Sequence, residues 1–155
     1  MIELDALVDA AAQLDPKTLT MSAVARELGV STSALYRWVA DREALLDLVS
    51  TTIAARILPG DRPTASTWRS WLTQWAHNVR QEFGGMPGFA LRVLTGPHRP
   101  AGHDDLHRRG VDAFVAAGVE ADHAHQCWYA FAIAVVAWVA AEQNPSPLGP
   151  EPMRF

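Results

Sequence analysis

Residues 19–49 read LTMSAVARELGVSTSALYRWVADREALLDLV, and the punctuation of this stretch decides the fold. Thr20 stands just ahead of a short apolar-periodic run through Val24, Ala25 and Leu28, where a hydroxyl can cap a helix. Gly29 follows as the residue for a left-handed turn. Ser31 or Thr32 can cap a third helix carrying Leu35, Tyr36 and Trp38. Asp41 can cap a fourth, whose stripe is Leu45, Leu46, Val49, Ile53 and Ile57. Two short helices joined by a glycine turn form a helix-turn-helix between about residues 20 and 39.

The chain on either side is helical as well. Leu4, Leu7, Val8, Ala11 and Leu14 recur at helical spacing and predict a first helix that stops near Asp15-Pro16. Pro59-Gly60-Asp61-Arg62-Pro63 is the sharpest break, dividing a head from a body. Beyond it, Ser66 is a candidate cap for a helix bearing Trp68, Trp71, Leu72, Trp75 and Val79 on one face. Gly84-Gly85 and Pro87-Gly88 mark a joint before a short helix near residues 89–94, and a Gly/Pro-rich loop spans residues 96–102. Further helices are expected over about 104–117 and 122–142, with an irregular, proline-containing tail at 143–155. No period-2 strand and no internal repeat is legible. The expected fold class is all-α: a three-helix helix-turn-helix DNA-binding head (residues 1–48), a linking helix at about 41–57, and a helical ligand-binding and dimerisation body (residues 66–142).

The order of parts in the helix-turn-helix carries chemistry. Ala25 is small where the two helices cross, and Val30 and Leu35 are apolar where the second must dock. Thr32, Ser33, Tyr36 and Arg37 are left on the exposed face of a helix short enough to enter a major groove. Charge argues the other way. Residues 1–50 hold Lys17, Arg26, Arg37 and Arg42 against Glu3, Asp5, Asp9, Asp15, Glu27, Asp41, Glu43 and Asp47, within a chain of net charge −4. Support for nucleic-acid binding must therefore come from local arrangement.

Over residues 19–49 the sequence resembles the TetR family of bacterial repressors, through the pairing of LGVS with ALYRWV and the following DREALL. The resemblance is looser over residues 66–142, where it lies in WRSWLTQWA, ALRVLTGP and an apolar final helix. It implies a homodimeric regulator that binds double-stranded DNA at a palindromic operator. The implied DNA contacts are Thr20, Ser22, Thr32, Ser33, Ala34, Tyr36, Arg37, Trp38 and Arg42. Hydroxyls take phosphates, and an arginine reads guanine edges or binds phosphate. Trp38 and Tyr36 read alternatively as residues closing the head's core. The chain departs from the family in lacking basic residues ahead of helix one, and in Ser22, where the tetracycline-binding branch has arginine.

Family members hold small effectors in the body, which makes Trp71, Trp75, Val79, Leu91, Arg92, Leu94, Trp128 and Phe131 candidate pocket residues. The position matching the branch's drug-site histidine is Arg92, and those matching its other polar drug contacts are Leu58, Trp75 and Val79, so an apolar or aromatic effector is expected rather than a tetracycline. On the final helix Ala130, Ala134, Ala137 and Ala141 align in steps of 4, 3 and 4, opposite Trp128, Val135 and Val139. Such a strip lets another backbone approach, and it is the candidate dimer interface. His103 and His107 stand one turn apart with acids between them, but the general-base glutamate and third ligand of the HExxH signature are missing, so no metal site is expected.

The remaining composition sets the compartment. The single cysteine, Cys127, forms no internal disulfide, and Glu3, Asp5 and Asp9 interrupt any signal-peptide pattern, so a cytoplasmic protein is expected. Residues 127–141 are apolar and uncharged but fifteen long, shorter than the roughly 20 of a spanning helix, so a buried helix is expected rather than a membrane span. Two other functions are alternatives on the sequence alone: a helical interaction protein that has lost specific DNA binding, and a small enzyme using the body's pocket. The catalytic constellation of the second is incomplete.

Overall fold

Three side-chain caps punctuate the first half of the chain. Thr20 Oγ1 accepts from Ala23 N at 3.2 Å, Ser31 Oγ from Ala34 N at 3.2 Å, and Asp41 Oδ1 from Ala44 N at 2.8 Å. They open α2 (Met21–Glu27), α3 (Thr32–Leu35) and α4 (Arg42–Ile57), which follow α1 (Leu4–Ala12). Gly29 takes φ 67 between α2 and α3, a conformation that costs a residue with a Cβ roughly 1 kcal/mol or more. The computed structural model describes residues 3–96 and 103–144; the 97–102 part of the expected loop and the 145–155 part of the expected tail lie outside them.

The caps bring three apolar stripes to one point. Leu7 and Val8 of α1, Val24 of α2, Leu35 of α3 and Leu45 of α4 are fully buried, and Leu46 and Val49 nearly so. α4 then leaves the head and packs against α5 (Trp68–Gly84). The body continues with α6 (Phe89–Thr95), α7 (Asp104–Ala116) and α8 (Ala121–Gln143). α8 runs against α5, α6 and α7, burying Ala124, Trp128, Val136, Val139 and Ala140. No strand occurs among the described residues, and the architecture is all-α.

Four expectations need correcting. α1 stops at Ala12, a turn before Asp15-Pro16, because Asp15 instead closes a turn in which its Oδ1 accepts from Lys17 N at 2.8 Å. α3 is α-helical only to Leu35, and Tyr36, Arg37 and Trp38 lie in the turn that follows. Ser66 does not cap α5; Thr67 occupies the cap position, and its Oγ1 accepts from Thr64 N at 3.0 Å, so the hydroxyl serves the preceding turn. α8 is 23 residues long, because the helix extends past the charge-free run at both ends. By length and composition alone it is long and apolar enough to cross a membrane, so the length argument against a span does not hold. A core helix passes the same test, and α8 has one face packed on three other helices.

The cap at α4 gives a direct check. Asp41→Ala is expected to lower stability by about 1 kcal/mol, within the usual range for a lost cap, since it frees an N-terminal N–H and removes a charge that complements the helix dipole. Asp41→Asn should recover most of the loss in urea unfolding. A variant Asp41→Ala as stable as the parent would show that the cap contributes nothing.

Candidate nucleic-acid interface and effector core

The α2–α3 corner turns a polar and aromatic surface outward. Leu35 is fully buried and Val39 is 7% exposed, and these two dock the segment on the head's core. Tyr36 and Trp38 are 52% and 47% exposed, so the core-closing alternative for them fails: Leu35 and Val39 already fill that place. Arg37, Ser33, Ser22 and Thr20 are exposed, and Thr32 and Ala34 are half-buried. Hydroxyls pair along this surface, Thr20 Oγ1 with Ser22 Oγ at 3.2 Å and Ser31 Oγ with Ser33 Oγ at 3.0 Å. Arg37 and Trp38, with Val30, Ala34, Leu28, Ala6 and Glu3, also line a groove of about 420 Å³ between α1 and this segment.

Arg42 is placed differently from the other candidate contacts. Its Nε donates to Leu19 O at 3.0 Å, Nη2 to Pro16 O, and Nη1 pairs with Glu43. The guanidinium thus holds the start of α4 against the α1–α2 loop. Glu43 also accepts from Arg92 Nη2 at 3.2 Å, so an ionic chain Arg42–Glu43–Arg92 runs from head to α6. Arg92, a candidate pocket residue, directs its charge to α4.

Several of the head's acids are engaged internally. Arg56 of α4 reaches Asp9 at 2.6 Å and Asp5 at 2.8 Å, and hydrogen bonds to those carboxylates, Asp9 foremost, raise its pKa above the usual arginine value. Glu43 is held by Arg42 and Arg92, Asp41 caps α4, and Asp15 closes its turn. These contacts engage five of the head's eight acids on α1, α4 and the α1–α2 loop, while Glu3 shares the groove with Arg37.

In the body, α5 and α8 face each other through aromatic rings. Trp75 meets Trp128 edge-on at 4.8 Å between centroids and Phe131 at 5.7 Å, Trp71 lies 6.4 Å from Trp128, and Phe114 of α7 sits 6.1 Å from Phe131. Val79 is fully buried beneath them, while Leu91 and Leu94 are half-buried. Trp71 Nε1 donates to Asp61 O at 2.8 Å, but Trp75 Nε1 is buried without a hydrogen-bond partner. A buried N–H left unpaired costs about 1–3 kcal/mol and is satisfied by an acceptor brought to it. Away from that packed face of α8, Ala130, Ala134, Ala137 and Ala141 are exposed, as are Ile133 and Trp138 at 56% and 51%.

Solved structures share this arrangement of helices. ActR of Streptomyces coelicolor, solved with actinorhodin, superposes with a TM-score of 0.74 at 20% identity, over 92% of this chain and 68% of that one. BioQ, solved with its double-stranded DNA operator, gives 0.70 at 24% identity, over 94% and 90%. The chain has the TetR fold. A TetR variant of Acinetobacter baumannii AYE, solved with minocycline, gives 0.69 at 22% identity over 92% and 83%. Neither a family model nor a curated protein matches the sequence. Within the TetR fold, three features escaped sequence reading: Glu43 as the bridge to Arg92, Phe114 in the ring cluster, and His125 beside His107. The DREALL run flagged Glu43, but its partner is 49 residues away and no local pattern names it.

Proposed function

We propose that the protein is a transcriptional repressor that binds a palindromic operator as a homodimer and is released from it by a small molecule. The observation that carries this reading is the outward face at the α2–α3 corner. Tyr36, Arg37 and Trp38 stand exposed on the segment that carries Ser33, while Leu35 and Val39 of the same segment pack inward. Large exposed side chains with a cation and hydroxyls are the groups that grip phosphates and read base edges. In this reading residues 1–48 are the DNA-binding unit, α4 is the link, and residues 66–142 bind effector and pair. Arg42 acts on DNA indirectly, by fixing the loop that carries Thr20. The protein is cytoplasmic and not an enzyme, and α8 pairs with a second copy rather than entering a membrane.

Arg37→Ala tests the interface. A base-reading arginine is worth roughly 1–3 kcal/mol of discrimination, so the variant should bind its operator about 5–150-fold more weakly and tolerate other bases at one position. Its thermal unfolding should be unchanged, since Arg37 is exposed. An operator profile equal to the parent's would remove this segment from the reading element.

The effector must enter among Trp71, Trp75, Trp128 and Phe131, whose rings fill the space between α5 and α8. An aromatic molecule carrying a hydrogen-bond acceptor fits best, since it replaces ring contacts and satisfies Trp75 Nε1. A switch of this kind supplies about 1–3 kcal/mol of coupling. Aromatic ketones or quinones are therefore expected to quench tryptophan fluorescence and, at the same concentrations, release operator DNA. Quenching with unchanged DNA affinity would leave a binding site but no switch.

A further inference from the structure

α7 and α8 bring together two histidines that the DNA-binding reading does not use. His107 Nε2 lies 3.2 Å from His125 Nδ1, with the rings inclined by 29° and their centroids 5.3 Å apart. Tyr129, one turn beyond His125, packs on His107 at 5.2 Å and limits how that ring can turn. We propose that His107 and His125 form a two-histidine site for a divalent transition-metal ion of the zinc type, clamping α7 to α8.

The separation of the two nitrogens fits an ion. Zinc sits about 2.0–2.1 Å from an imidazole nitrogen, and two such nitrogens 3.2 Å apart subtend about 100° at the ion, close to the tetrahedral angle. The donors need not separate or approach to take it up. Without a metal the two nitrogens are joined by one hydrogen bond, one ring donating and the other accepting. With a metal each neutral ring offers a lone pair, so the donating ring changes tautomer: the shared proton is exchanged through solvent for one on that ring's other nitrogen, with no net loss. Imidazole suits zinc, nickel and copper, whereas magnesium and calcium prefer oxygen. His125 is exposed and His107 half-buried, so water has access to the remaining coordination positions. Among the described residues no third His, Cys, Asp or Glu joins the pair. His123 lies aside, with its Nδ1 3.2 Å from Glu120. The sequence alone sets His103 one turn from His107 and gives no metal site, whereas the fold brings His107 to His125 across the α7–α8 contact.

The test uses the tag-free chain, stripped with chelator and titrated with zinc chloride by calorimetry and in thermal unfolding, with magnesium chloride as the hard-cation control. One zinc per chain should bind and raise the unfolding temperature, while magnesium does neither. Zinc uptake and the stabilisation should both vanish in His107→Ala and in the more exposed variant His125→Gln, and persist in His123→Ala. Should His107→Ala fail to fold, His125→Gln alone decides. No zinc uptake by the parent, or uptake and stabilisation unchanged in His125→Gln, overturns the proposal.

Discussion

Ala137→Arg is expected to turn the protein into a monomer and to lower its operator affinity by about a hundredfold or more. Ala137 lies exposed on α8 among Ala130, Ala134 and Ala141, flanked by Ile133 and Trp138, which are more than half exposed. An apolar helix face of this kind is unusual on a monomer. Small side chains let a second helix approach closely, and a guanidinium driven into that contact is both bulky and unpaired. Two half-sites bound by one dimer gain about 10²–10⁴ over one half-site bound alone, and a monomer forfeits that gain. Ala134→Leu should act in the same direction through bulk alone. Neither change touches the buried face, where Trp128, Val136 and Val139 pack, so helical content should be preserved. Sedimentation decides: dimers from both variants would place the pairing surface elsewhere.

Gly110→Ala is expected to destabilise the protein by about 1–3 kcal/mol, the usual range for overpacking. On an exposed helix the same change stabilises by roughly 1 kcal/mol, because alanine is the better helix former. The sign is therefore diagnostic. Gly110 lies inside α7 against the Trp128 indole, and an added Cβ would fall within the ring's own volume. Backbone and ring approach so closely only because the side chain is absent. Gly110→Leu should prevent α7 from seating on α8 altogether. Pairing Gly110→Ala with Trp128→Leu should restore much of the loss, giving a coupling of about 0.5–3 kcal/mol in a double-mutant cycle. Urea unfolding that shows Gly110→Ala to be stabilising would contradict the packing described for this crossing.

The parts of this fold that were legible in sequence are those fixed by near neighbours. Thr20, Ser31 and Asp41 cap their helices by reaching three residues forward, and Gly29 makes its turn alone. Helical periodicity placed α4, α7 and α8 to within about two residues, the ordinary uncertainty of helix ends. Face assignments followed from the same period: Trp128 and Val139 turned inward, the alanine strip outward. What stayed hidden is set by contacts between distant segments. Arg42 looked like a free cation on a helix start, and only the fold brings Leu19 O and Pro16 O within its reach. Arg92 looked like a pocket residue until α6 came to lie beside Glu43. The pairing of His107 with His125 depends on how α7 docks on α8. Ser66 misled for a local reason: hydroxyls at 64, 66 and 67 compete for the same turn, and Thr64 and Thr67 satisfy each other first.

In the proposed function, a pair of these chains reads DNA sequence through the α2–α3 corner. Selection of bound fragments from a random duplex library, followed by sequencing, tests it most directly. The account predicts an enriched inverted repeat whose half-sites are centred about one helical turn apart, roughly 10–10.5 base pairs, or a multiple of that. It also predicts that the repeat is lost from the Arg37→Ala library or relaxed at one position in each half-site. A library that returns no enriched sequence, with binding that depends only on salt, would contradict the account.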